Sequence, residues 1–507
     1  WMSPEEASRE IDQIPLSFGR GDPSGALSMA YRKLKDVKKP GEILMMSDMA
    51  QGDWEGFNLS QLDIIPSEVG ITFLRMGGPE RDSNFAVKEM KLVEGVAVVG
   101  VPARLEATVS NLSERSGSIL VQLYFSGVKE DQKSIDLKGR EEGKITFELF
   151  FDKPGWLNGE VRLSGDRLST DDQFYFPLKV RERVRVLIVD GDPKRSLKGS
   201  ESYYLVNALR PGGSERSPFL TTVVTEGELV DINSKLYDAF FLLNVARPQG
   251  SKLSSILESG KPLFIFLGDR VVPETYNSIP LFPLRIREME EVGPVKPERI
   301  NRVDGSHEAL KNLSPSGWES LKGASFVSYF RIEGSMKNLL SFGNGDPFLI
   351  EADLEKGKLF LFSSSADLDW NDLPLRASYL PLIQGLLKET VGLSKGSPET
   401  IRFGEPFGEK VQPIQVTGEK GGPGIYKFLS PSGEMRQGVN PPFEESDLGK
   451  VKPEEMKKRL ETIDIKVVEY KEEVLSGIHA GKKELWPFLL AFVLVVLAFE
   501  MGVANRI

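Results

Sequence analysis

Residues 357–387 read GKLFLFSSSADLDWNDLPLRASYLPLIQGLL, and the way this stretch folds decides the class of the central part of the chain. Lys358–Phe362 is an apolar run of strand length, and LPLIQGLL has the spacing of a helix packed on one face. Between them stand Asp367, Asp369, Asn371 and Asp372. Three further apolar runs share the pattern: VRVLIVDGDP (184–193), YDAFFLLNV (237–245) and KPLFIFLGD (261–269), each ending in small or acidic residues. Helical stretches such as ESYYLVNAL and SKLSSILES intervene. Continuous apolar strands alternating with helices predict a parallel sheet covered on both faces over 183–396.

The acid-rich turn admits three readings. Asp367, Asp369 and Asn371 occupy the first, third and fifth places of an EF-hand loop. The sixth place, which needs glycine, is Asp372, and the twelfth, which needs a bidentate glutamate, is Ser378. A catalytic pair would need a partner that the sequence does not identify. An Asp/Asn turn that ends a strand and caps the next helix needs nothing further.

Outward from this region the period changes. Residues 1–90 alternate helix and strand: Asp22 caps a helix with Pro23 in its first turn, and Ala26, Leu27, Ala30, Tyr31 and Leu34 fall on one face. The strand Ile43–Met46 then ends at Ser47 and Asp48, and ITFLRMG (71–77) reads as a buried strand. Over 95–181 the apolar positions alternate (Ile119, Val121, Leu123, Phe125; Ile145, Phe147, Leu149, Phe151; Phe174, Phe176, Leu178, Val180), which predicts an immunoglobulin-like β-sandwich. A small turn-rich β unit and a charged linker fill 400–480.

The chain has 507 residues, enough for three or four domains. Its net charge of −10, without a dense basic stripe, argues against a nucleic-acid partner. There is no cysteine, which removes disulfides, thiolate metal sites and a cysteine nucleophile. The only histidines are His307 and His479. Leu485–Ala504 is apolar except for Glu500 and Gly502 and is flanked by Trp486; about twenty helical residues span about 30 Å, so this segment predicts a transmembrane anchor. Lys482, Lys483 and Arg506 leave the positive-inside balance nearly even, and no signal peptide opens the chain. RGD at 20–22 is absorbed by the Asp22 cap. GLSKG at 392–396 matches a nucleophile elbow but follows a helix instead of a strand. Phosphate-loop and zincin motifs do not occur.

Several stretches together resemble one family. GRGDPSGALSMAYRKL and ILMMSDMAQGDW look like the second half of a von Willebrand factor A domain. VRVLIVDGDP, GKPLFIFLGD and 357–387 resemble the class I glutamine amidotransferase-like domain of BatA-type membrane proteins from bacterial aerotolerance (Bat) loci. GIY (424–426), GVNPPFEESDL (438–448) and ELWPFLLAFVLVVLAFEMGVANR are similar to that family's juxtamembrane region and final span. The resemblance implies an A-domain portion over 1–90, an Ig-like domain over 95–181, a degenerate amidotransferase-like domain over 183–396, a small β unit and linker over 400–480 and a span over 485–504. It further implies soluble domains outside the bacterial cytoplasmic membrane, and association with other A-domain proteins and a MoxR-type AAA+ ATPase. Of a metal-dependent adhesion site Asp48 matches the aspartate and Asp22 stands near where the threonine belongs, a degenerate pair of candidate Mg2+ ligands. Amidotransferase chemistry needs the cysteine this chain lacks.

The expectation is therefore a non-enzymatic, membrane-anchored scaffold without a cofactor. One alternative is a ligand-binding or hydrolytic α/β domain using the strand-end carboxylates Asp190, Asp192, Asp269, Asp367 and Asp369. The other is metal-dependent adhesion through Asp48. If Asp190, Asp269 and Asp367 converge on one pocket, the carboxylate reading gains.

Overall fold

The computed structural model describes residues 21–35, 42–54, 70–76, 84–452 with short breaks, and 465–469, with a few isolated positions besides. The chain is mixed α/β with several separate sheets. The apolar segment 485–504 and His479 lie outside the described residues, as does most of GLSKG; among the described residues no helix is long and apolar enough to cross a membrane.

An eight-stranded sheet dominates the 184–390 region. From one edge, its strands are Phe219–Thr225, Val184–Asp190, Ala239–Leu243, Leu263–Phe266 and Gly357–Phe362, all parallel, followed by Pro347–Leu354, Lys337–Phe342 and Ile300–Val303, which run antiparallel. Every residue of Ala239–Leu243 and Leu263–Phe266 is buried, as a strand covered on both faces requires. One face packs Ile188, Phe241, Phe264 and Phe362 against the helices Ser202–Leu209 and Tyr379–Thr390 through Leu205, Leu209, Leu382 and Leu386. The other packs Leu187, Leu242, Ile265 and Leu361 against Gly250–Glu258 through Leu253 and Leu257. Phenylalanine rings stack across neighbouring strands on the first face, Phe241 on Phe264 at 4.4 Å and Phe266 on Phe362 at 3.9 Å between centroids.

The parallel strands stand in the order second, first, third, fourth, fifth of the chain. Crossovers leave the first strand in one direction and the third in the other, so the sheet has a switch point between the ends of Val184–Asp190 and Ala239–Leu243. Ligands of open α/β sheets bind in the crevice outside such a point.

Residues 85–180 form two antiparallel sheets around a shared core that includes Leu105, Val121, Leu123, Phe147, Val161 and Phe176. Phe85–Gly95, Pro102–Asn111 and Glu142–Phe150 make one sheet; Val128–Leu137, Gly117–Phe125, Gly155–Leu163 and Gln173–Val180 make the other. The four-stranded unit of Thr400–Arg402, Gly433–Asn440, Gly424–Ser430 and Ile414–Gly418 docks on this body. Asn440 accepts the Tyr175 N–H at 2.6 Å and donates to the Tyr175 carbonyl at 2.9 Å. Gly438 lets the backbones meet, since a Cβ there would lie 2.2 Å from the Tyr175 oxygen.

Near the N-terminus, Asp22 caps Pro23–Lys35 by accepting the Gly25 N–H at 2.8 Å. Glu42–Ser47 pairs in parallel with Gly70–Arg75. The third strand of that sheet is Ile465–Glu469, parallel to Gly70–Arg75, from within the segment read above as a charged linker.

Candidate functional site: a carboxylate crevice at the switch point

Asp190 ends the first parallel strand, buried. Its carboxylate accepts the backbone N–H groups of Asp192 (3.1 Å) and Ser202 (3.2 Å) and the Ser200 hydroxyl, which holds the strand end against the helix that follows. On the other side of the switch point stands Asn244, at a left-handed φ of 52° just beyond Ala239–Leu243. Its amide donates to Glu201 Oε1 at 2.8 Å and to Asp269 Oδ1 at 2.7 Å, while its oxygen accepts the Arg270 N–H at 2.9 Å. Two glycines make room for it. A Cβ on Gly191 would lie 2.1 Å from the Asn244 carbonyl oxygen, and one on Gly268 would lie 2.4 Å from its Cγ.

Glu201, only 1% exposed, keeps its second carboxylate oxygen without a hydrogen-bond partner. Burial pushes its pKa up to about 8, with the charges of Asp367, Asp190 and Asp369 adding to the rise and the Asn244 amide opposing it. Asp367, also buried, is raised chiefly by desolvation; the Asp369 N–H at 2.9 Å and Lys194 oppose the rise. The Tyr379 hydroxyl, at the start of the last helix, is buried with no partner, and its pKa is pushed up by burial and then by Glu201 and Asp367.

Cations stand at the rim. The Lys194 ammonium lies 2.9 Å from Asp369 and 3.4 Å from Asp192, and its hydrogen bond to Asp369 is the main reason its pKa is raised. Arg270 donates to the Gly191 carbonyl and lies 3.8 Å from Asp192. Beside Asp190 opens a cleft of about 330 Å3, lined by Ser200, Ser202, Tyr203, Val223 and Glu228 among others.

Of the five strand-end carboxylates named from the sequence only Asp190 lines this cleft; Asp367 and Asp369 act on Glu201 through their charges, Asp269 shares the Asn244 amide with it, and Asp192 pairs with Lys194. The remainder of the acid-rich turn is structural. Asn371 bonds the Ser365 carbonyl (2.9 Å) and the Leu373 N–H (3.0 Å), and Asp372 accepts the Ser325 N–H (2.8 Å) and pairs with Arg376. Glu201, Asn244, Tyr379 and Lys194 escape a reading of the sequence. The one signal for Glu201 is its place just before the first crossover helix.

Asp48 accepts the Ala50 N–H at 3.0 Å. Among the described residues no group of three or more His, Asp or Glu is arranged to hold a metal ion. His307 lies in a second buried cluster, 3.5 Å from Glu351 through Nε2 and 3.5 Å from Glu389 through Nδ1. Burial would raise the Glu351 pKa, yet His307 and Lys358, the latter at 2.5 Å, bring it down to about 2.

No protein-family model and no curated protein matches the chain. Among solved structures, it is similar to the CARDB domain of a Pyrococcus furiosus protein crystallised with di-metal ions (22% identity, 21% of this chain and 99% of that one, TM-score 0.18). It is also similar to a cold-adapted β-galactosidase from Rahnella sp. R3 (13% identity, 51% and 40%, TM-score 0.30). A third is an exo-β-1,4-mannosidase from an Opitutaceae bacterium (12% identity, 41% and 35%, TM-score 0.25).

Proposed function

We propose that this chain is a non-enzymatic, membrane-anchored interaction subunit of the bacterial Bat type, whose α/β region binds a ligand in the switch-point crevice. The observation that carries the ligand-binding part is Asn244 joining Glu201 to Asp269 beside the strand end of Asp190, with the charges of Asp190 and Asp367 acting on Glu201. The strand order second-first-third-fourth-fifth is compatible with a degenerate amidotransferase-like domain, and the three- and four-stranded sheets of 85–180 with an Ig-like one. The apolar 485–504 segment supports the anchor, and the resemblance supports A-domain proteins and a MoxR-type ATPase as partners.

The test is crosslinking of the intact chain in its native membrane, followed by affinity purification and mass spectrometry. Co-purification of A-domain proteins is the expected result; a protein that comes out alone overturns the scaffold reading. One feature favours hydrolysis instead: burial and neighbouring acids push the pKa of Glu201 up to about 8, the direction that general acid catalysis requires. Turnover of amide or ester substrates by the intact chain, abolished in Glu201→Gln, would establish that reading in place of ours.

A further inference from the structure

The eight-stranded sheet has two edges, and they are built differently. The edge strand Ile300–Val303 has four residues, includes Arg302, and shifts register between Ile300 and Arg302. Short, charged and irregular strands keep a sheet edge from pairing with another chain. The opposite edge, Phe219–Thr225, has seven residues in unbroken register with Val184–Asp190. Its sequence, FLTTVVT, holds no charge and no proline, and Leu220 and Val223 are 37% and 45% exposed.

The open backbone groups of this edge follow from its pairing. Val184 lies opposite Phe219 and donates to the Pro218 carbonyl at 2.8 Å, so Leu220, Thr222 and Val224 turn their backbone groups toward Val184–Asp190. Phe219, Thr221, Val223 and Thr225 turn theirs outward. At the two ends local side chains take the outward N–H groups: Ser217 Oγ accepts from Phe219 at 3.2 Å, and Glu228 accepts from Thr225 at 2.7 Å. Between these caps, the backbone groups of Thr221 and Val223 have no partner among the described residues.

We infer that this edge pairs with the same edge of a second copy of the chain, antiparallel about a twofold axis at Thr222. In that register Thr221 faces Val223 of the copy and Val223 faces its Thr221, which fills the open groups with about four backbone hydrogen bonds. A shift of two residues either way would set Val223 against the capped Phe219 or Thr221 against the capped Thr225. Leu220 then covers Val224 of the copy, an apolar cross-strand pair. Beyond the strand ends Arg216 meets Glu228 of the copy, and the twofold makes this pair twice; both residues are exposed. A strand that starts beside a cation and ends beside an anion is complemented by itself reversed. Val223, Thr225 and Glu228 also line the cleft beside Asp190, so Thr221 and Arg216 of the copy become part of its wall.

The chain has no cysteine, so one introduced at the axis reports on this contact alone. Opposite residues of a non-hydrogen-bonded antiparallel pair lie about 4.5 Å apart between Cα atoms, within reach of a disulfide. Mild oxidation of membranes holding the intact chain is expected to convert most of Thr222→Cys to a covalent dimer and to leave Arg302→Cys, on the other edge, a monomer. In detergent, Thr222→Lys and Thr222→Glu should each weaken dimerisation roughly threefold or more, because like charges meet at the axis, and an equal mixture of the two should restore it. Melting temperatures near that of the unaltered chain show that both variants fold. Absence of the disulfide in Thr222→Cys, equal crosslinking of Arg302→Cys, or no recovery on mixing would overturn the inference. An edge occupied by a strand of another protein gives the first of these outcomes.

Discussion

The two ends of the helix Tyr379–Thr390 stand beside two buried glutamates that behave in opposite ways. At its start, next to Tyr379, Glu201 is 1% exposed and its pKa is about 8. At its end, across His307 from Glu389, Glu351 is 6% exposed and its pKa is about 2. Desolvation raises both, so burial does not separate them. What separates them is company. Glu351 has the Lys358 ammonium at 2.5 Å and His307 at 3.5 Å, whereas Glu201 has acids and one amide. The first is a closed structural cluster, and the second sets its carboxyl among acids with a single amide donor.

Linkage turns this contrast into stability. With an unfolded-state pKa near 4.5, Glu201 binds more protons in the folded chain between pH 4.5 and about 8. Its contribution is present below pH 4.5 and is lost as pH rises through 8. Glu351 does the reverse: its contribution is present above pH 4.5 and is lost as pH falls through about 2.

The largest expected effect comes from Glu201→Gln, which stabilises the chain by on the order of 2–4 kcal/mol at pH 9 and changes little at pH 5. Denaturant melts at the two pH values read this, and a pH-independent effect breaks the comparison. Glu351→Gln should cost roughly 2 kcal/mol at pH 7, because it removes the buried carboxylate between Lys358 and His307, which keep only Asp353 and Glu389, and less at pH 3. An equal loss at both would show that packing, not charge, governs that cluster. Asn244→Ala should cost about 1–2 kcal/mol, since Glu201 and Asp269 lose a donor and alanine disfavours the left-handed φ. Asn244→Gly, free of the backbone penalty, separates the two causes. The smallest effect belongs to Lys194→Gln, within about 0.5 kcal/mol, because its pair with Asp369 is solvent-exposed. A larger loss would place Lys194 inside the cluster and narrow the contrast with Glu351.

Much of the frame was legible in the residues. The runs around 184–190, 239–243, 263–266 and 359–362 are apolar without alternation because strands covered on both faces must be, and they form the parallel core of the central sheet. The Asp22 cap followed from a three-residue relation. The strand Ile465–Glu469 was hidden among charged neighbours, since its pairing partner, Gly70–Arg75, lies at the other end of the chain. The acid-rich turn looked uniform, yet Asp367 and Asp369 face the crevice while Asn371 and Asp372 hold the turn.

Local order and composition thus determined which segments are strands, where acids end them, and that no cysteine chemistry operates. Only the tertiary structure decided that Glu201, Asn244, Asp367 and Tyr379, far apart in the chain, act on one another. The physical reason is the crossover topology. Parallel strands bring all their carboxyl ends to one edge, and the crossovers part there beside Val184–Asp190. Whether a buried carboxylate there stands beside a cation or among acids depends on neighbours from other strands and loops, and periodicity along a single segment carries no trace of them.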